Sequence, residues 1–173
     1  MRRFSKSLRL PLWAFGLVFF VVLVLIRVRA AEREIYHAPA QAELDLAAGI
    51  KAAAASHKRV ILDFGGDWCG DCQVLDLYFH NAANKPILES NYVLVHINVG
   101  HLDQNQAIAA RYSVVLSKGV PVLAVLDEHG KLVYSQRTPV FESVQGVQSS
   151  SITNFLVRWK PVKPGCSAVQ LVC

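Results

Sequence analysis

The sequence predicts an α/β domain, a central mixed sheet flanked by helices, behind an N-terminal apolar segment. Three observations predict it. Two short apolar runs, residues 59–64 and 92–99, read as buried strands separated by helical patterns. Two later runs, 120–126 and 131–134, are split by the turn-type stretch Asp127-Glu128-His129-Gly130. Residues 10–26 carry no charge at all. Strands joined through helices run parallel, whereas a hairpin adds antiparallel pairing, so the sheet is expected to be mixed.

The N-terminus comes first. Leu10 to Ile26 is an apolar run of 17 residues, and Arg2, Arg3, Lys6 and Arg9 lie just before it. That is the pattern of a secretory signal or an N-terminal anchor. Leu8 and Val28 extend the run towards the roughly 20 residues that span a bilayer core. Val28-Arg29-Ala30 also offers small residues where a signal peptidase cuts, so anchor and cleaved signal both stay open. The division expected is 1–30 as signal peptide or anchor, 31–40 as a linker, 41–160 as the folded domain and 161–173 as a tail.

Of the 18 basic residues, six lie in 1–30, which has no acidic residue. The rest of the chain therefore holds 12 basic against 13 acidic residues, a net of −1. No basic surface is left for a nucleic acid partner. The clustered positive charge before the apolar run places the N-terminus in the cytoplasm and the domain outside it.

Gln41 to Ser56 is alanine-rich with helix-compatible spacing at Leu44, Ala47 and Ala48. Arg59-Val-Ile-Leu-Asp-Phe64 is a β-branched and aromatic run closed by Gly65-Gly66, hence a buried strand. Gln73 to Phe79 continues as a helix from the cysteine pair. Lys85 to Ser90 forms a short helix with Pro86 in its first turn. Tyr92 to Val99 is the second strand, Gln104 to Tyr112 a helix, and 120–126 with 131–134 the hairpin. Ser149 or Ser150 caps a last helix through Trp159, which Pro161 stops.

Trp68-Cys69-Gly70-Asp71-Cys72 is the strongest chemical signal. Between an apolar strand and a helix, Cys-x-x-Cys reads as a redox motif. Cys69 at the helix N-terminus faces free N–H groups and the positive dipole end, which favour thiolate. One turn later, Cys72 is placed to attack a mixed disulfide on Cys69. A static disulfide is the blander alternative. Metal ligation is another, and it needs two more ligands, for which Cys166 and Cys173 are the cysteines at hand.

With these residues in view, 41–160 resembles the thioredoxin superfamily. The family carries an aspartate six positions before the first motif cysteine, matched by Asp63, and a cis-proline facing the motif, matched by Val120-Pro121. The resemblance implies a thioredoxin-like fold and thiol–disulfide exchange by Cys69 and Cys72, with Asp63 accepting the proton of Cys72. It implies substrate contacts from Trp68, Gly70, Asp71, Val120 and Pro121, and no cofactor or metal. A closer likeness, through Phe79, Pro86-Ile-Leu88 and 92–99, is to exported domains that take electrons from a transmembrane thiol transporter. The chain departs from the most familiar member at Gly70-Asp71, where that protein has Gly-Pro. It departs again at Leu77, where a proline is usual, and at Val122, where a threonine is usual.

The expectation is thus a membrane-anchored or secreted oxidoreductase that reduces disulfides of exported proteins, most naturally in a bacterial periplasm. The other class is a non-catalytic module that binds a partner or a metal. Asp71 beside the nucleophile opposes thiolate, and Asp67 adds negative charge nearby. A reducing potential is therefore expected, nearer about −270 mV than about −120 mV. Cys166 and Cys173 read as a small structural disulfide, a second thiol pair or free thiols. His80, His96, His101 and His129 read as surface or strand-end residues, and a buried Asp63 without catalytic role would be tied to a lysine or to backbone.

Overall fold

A computed structural model describes residues 34–137 and 149–162. The 1–30 segment and both Cys166 and Cys173 lie outside the described residues. Among the described residues, no helix is long and apolar enough to cross a membrane.

The domain opens with a 3-10 turn, Pro39–Gln41, running into α1 (Ala42–Ser56). Strand β1 (Arg59–Gly65) follows, then α2 (Gly70–Phe79), α3 (Lys85–Asn91) and β2 (Tyr92–Asn98). Next come α4 (Gln106–Arg111), a 3-10 turn at Leu116–Lys118, the hairpin strands β3 (Val122–Leu126) and β4 (Leu132–Ser135), and α5 (Ser149–Arg158). The sheet order is β2-β1-β3-β4. β1 and β2 run parallel with Asp63 opposite His96, while β3 is antiparallel to β1 and to β4. The sheet is mixed, as the element order predicts. β3 pairs with β1 and not with β2, because α4 carries the chain over the sheet from one side of β1 to the other.

β1 and β3 are buried along nearly their whole length. A strand covered on both faces needs a continuous apolar run, and that is why the sequence marks these two so clearly. On one face Val60, Leu62 and Phe64 pack with Leu46, Ala53, Val95, Ile97 and Ile108. On the other, Ile61 packs with Leu75, Phe79, Leu88, Ile152 and Leu156. Gly49 lets α1 close onto β2, since a Cβ there would collide with Val95. α5 is tied down at its C-terminal end, where the Tyr92 hydroxyl donates to Leu156 O and Arg59 donates to Trp159 O.

The stretch expected as a linker contributes to the core. Tyr36 is 1% exposed. The backbone N–H groups of Ile35 and Tyr36 both donate to Asp67 Oδ1, at 2.8 and 3.2 Å. A single buried ring in a stretch without periodicity leaves no pattern to read.

Candidate active site

Cys69 caps α2. Its sulfur accepts the Cys72 backbone N–H at 3.1 Å, and the two cysteines are joined in a disulfide. Extended backbone at Cys69 switching to helix at Gly70 brings one of the free first-turn N–H groups of α2, that of Cys72, onto the sulfur. The two sulfurs are not equivalent. Cys69 is 6% exposed and Cys72 is fully buried. Trp68 stands over the site half exposed, with its indole N–H donating to Gly100 O and its ring stacked on His101 at 5.2 Å.

The Val120-Pro121 peptide is cis and faces the pair, with Val120 O 3.7 Å from Cys69 Sγ. Pro121 has no N–H to give a ladder, and β3 begins at Val122. Gly119 just before it sits at φ +105, a conformation L side chains rarely adopt.

Asp63 is buried on the face of β1 that looks towards α2. One oxygen, Oδ2, accepts both the Tyr36 hydroxyl at 2.7 Å and His96 Nδ1 at 3.0 Å. Oδ1 has no hydrogen-bond partner among the described residues. The expected tie to lysine or backbone is thus replaced by a tyrosine and a histidine. Gly65 leaves the opening between this network and the sulfur: a Cβ there would stand 2.5 Å from the Tyr36 hydroxyl oxygen and 2.7 Å from Cys72 Sγ.

Three titratable residues in this cluster escaped the sequence reading. His96 is largely buried, its side chain 18% exposed, because register sets it opposite Asp63 and the Tyr36 ring packs edge-on to it at 5.0 Å. Only strand pairing reveals that. Asp76, buried on α2, lies four residues after Cys72, and i,i+4 spacing could have placed it on the same helix face. Its Oδ1 is 4.0 Å from His96 Nε2 and 3.0 Å from His80 Nδ1. Tyr36 has no sequence signal. Asp67, expected as charge beside the thiol, instead turns one oxygen to the Ile35 and Tyr36 amides.

Burial, and next the Asp63 carboxylate, hold the Tyr36 hydroxyl far above its ordinary pKa, so it stays a donor. For His96, burial pulls the pKa down. The Asp63 hydrogen bond and the carboxylates of Asp63, Asp76 and Asp67 outweigh it and leave the ring above its ordinary 6.5. A raised folded value means that this histidine contributes stability fully present below 6.5 and lost as pH rises through the folded value. Urea unfolding of the full chain from about pH 6 to about pH 9 should show that decline, and His96→Gln should flatten it. An unchanged slope in the variant would refute the assignment.

Among the described residues, no group of three or more His, Cys, Asp and Glu side chains is arranged to hold a metal ion. A family described as thioredoxin-like matches residues 40–128. Thioredoxin from Mus musculus is 38% identical over 58 residues, 34% of this chain and 50% of that protein. Thioredoxin from Homo sapiens is 33% identical over 61 residues, 35% of this chain and 52% of that protein. The chain spans about half the length of these curated relatives. A disulphide isomerase from Xylella fastidiosa Temecula1 superposes with a TM-score of 0.68 at 25% identity, covering 73% of this chain and 96% of that one.

Proposed function

Because this chain belongs to the thioredoxin-like family, we propose that it is a thiol–disulfide oxidoreductase that reduces disulfides of exported proteins. The observation that carries the reading is the Cys69–Cys72 disulfide at the start of α2, beside the cis Val120-Pro121 peptide. The Cys69 thiolate attacks one sulfur of a substrate disulfide, forming a mixed disulfide and expelling the other substrate sulfur as thiolate. Cys72 gives its proton towards Asp63, directly or through the Tyr36 hydroxyl. Its thiolate then attacks Cys69 Sγ. The Cys69–Cys72 bond forms, and the second substrate sulfur leaves with its electron pair. Val120 O lies 3.7 Å from the attacking sulfur and is suited to receive the substrate strand.

Direction and place are part of the proposal. Asp71 in the first turn of α2 competes with the thiolate for the helix dipole, which favours a reductant. The basic cluster and the apolar run at 10–26 support a domain held or released outside the cytoplasm, in a bacterial periplasm. A reductant there must be recharged, and a transmembrane thiol transporter is the electron donor we propose. The likeness to a disulphide isomerase favours isomerisation as a second reading. A glutathione redox titration of the full chain tests the direction. We expect a midpoint near about −270 mV, with dithiothreitol-driven reduction of insulin; a midpoint above about −180 mV would overturn the reductase reading and favour the second.

A further inference from the structure

We infer that His96, Asp76 and His80 form a relay that gives one proton up to solvent when the buried Asp63 carboxylate takes the proton released by Cys72. The inference rests on the oxidoreductase reading and adds to it a route that the two sulfurs and Asp63 do not supply. Asp63 is fully buried, so a proton it accepts cannot pass straight to water. Tyr36 offers no outlet, because its hydroxyl already donates to Asp63 and the ring is sealed in the core.

His96 does offer one. Nδ1 lies 3.0 Å from Asp63 Oδ2, while Nε2 on the other side of the ring lies 4.0 Å from Asp76 Oδ1. That same Asp76 oxygen is 3.0 Å from His80 Nδ1, which also lies 2.9 Å from the Asp76 backbone carbonyl, and the His80 side chain is 40% exposed. The chain of groups therefore runs from β1 through β2 to α2 and ends in water. The widest gap is the 4.0 Å step, longer than a hydrogen bond, so the relay requires the His96 ring and the Asp76 carboxyl to approach each other before that proton passes.

The groups that face His96 from each neighbouring element are few. Tyr36 approaches from the N-terminal segment, Asp63 from β1 and Asp76 from α2, with Asp67 acting on it through charge. His37 and Asp45, themselves paired at 3.0 Å, share with His96 the groove between α1 and β2.

The proton balance closes. At the start His96 carries a hydrogen on each ring nitrogen, Asp63 is a carboxylate and Cys72 is a thiol. When Asp63 takes the Cys72 proton, that pairing is lost and His96 Nε2 gives its proton to Asp76. Asp76 passes that proton on through His80, while Asp63 keeps the Cys72 proton beside the neutral ring, whose hydrogen stays on Nδ1. Reduction of the Cys69–Cys72 bond reverses both transfers: Asp63 returns its proton to Cys72 and Nε2 regains one through Asp76. Net, oxidation releases one proton to solvent, and the two electrons go to the substrate sulfurs. His96 touches neither sulfur. It is a positioning residue that works through Asp63.

The test follows the Cys69–glutathione adduct formed when reduced full-length protein meets oxidised glutathione. Samples are acid-quenched, alkylated and mapped by mass spectrometry, so that Cys69 is read separately from Cys166 and Cys173. His96→Gln should lengthen the adduct's life about tenfold near neutral pH and abolish its pH step. Asp63→Asn should lengthen it at least as much, and the double variant should be no slower than Asp63→Asn alone, since the two act in series. His80→Gln, at the surface, should slow resolution about two- to threefold and make it depend on buffer concentration. A His96→Gln profile that parallels wild type, or effects that multiply in the double variant, would overturn the relay. If His96→Gln fails to fold, His80→Gln decides, and indifference to both His80 and buffer overturns it. Should wild-type protein form no Cys69 adduct and reduce no insulin, the oxidoreductase reading fails first, and the relay with it.

Discussion

Full-length Cys69→Ser protein will reduce insulin no faster than the protein-free control, whereas Cys72→Ser will hold substrates as stable mixed disulfides on Cys69. The asymmetry comes from burial and from the helix end. Cys69 is the less buried of the two, receives the Cys72 N–H and lies beside the Val120 carbonyl. A nucleophile needs both a route to substrate and a stabilised thiolate, and a helix N-terminus supplies the second. Cys72 has neither contact with solvent nor a path to a bulky disulfide, because Tyr36 closes the space beneath it. Its role is intramolecular, on a sulfur one turn away. The measurement is non-reducing electrophoresis and mass spectrometry after exposure to cell extract, with the insulin assay in parallel. Adducts through Cys72 in the Cys69→Ser protein would reverse the roles, and no adducts on folded Cys72→Ser protein would remove the exchange mechanism.

Gly65→Ala will destabilise the oxidised domain by about 1–3 kcal/mol, the range for forcing volume into a packed core. Gly65 does not sit at positive φ, so the cost is one of space and not of backbone strain. Its added methyl would meet Tyr36 Oη at 2.5 Å, Cys72 Sγ at 2.7 Å and Tyr36 Cζ at 2.8 Å. None of these is the loose end of a flexible chain: the tyrosine is anchored on Asp63 and the sulfur is locked in the disulfide. Backbone must therefore shift. Gly70→Ala is the control, because nothing lies within 4 Å of its Cβ position and alanine is the better residue inside a helix. Urea titration of both variants should move the midpoints in opposite directions. A Gly65→Ala protein as stable as wild type would show that the space beneath Cys72 is larger than described.

The fold was readable because its strongest signals are local. β3 is apolar throughout and β1 is so but for Arg59 and Asp63, since both faces are covered, and Gly65-Gly66 before Trp68-Cys69 marks the strand-to-helix switch that places the sulfurs. Asp63 and Pro121 came from resemblance, each at a set distance from or beside a recognisable motif. Tyr36 and His96 carry no such mark. A tyrosine in the ten residues 31–40, which show no periodicity, looks like a linker residue, and a histidine in an edge strand looks exposed, until the fold brings both to one carboxylate oxygen.

Spacing along one strand and one helix was enough to put Cys69 at a helix start, with Cys72 one turn beyond it. Which groups lie beneath that pair depends on contacts between residues 27 and 33 positions apart, Tyr36 to Asp63 and Asp63 to His96. Such contacts arise from strand register and from Asp67 pinning the N-terminal segment, and neither leaves a period in the chain. Periodicity reports the face a residue shares with its sequence neighbours; the partner it meets across the sheet is set only when the layers close.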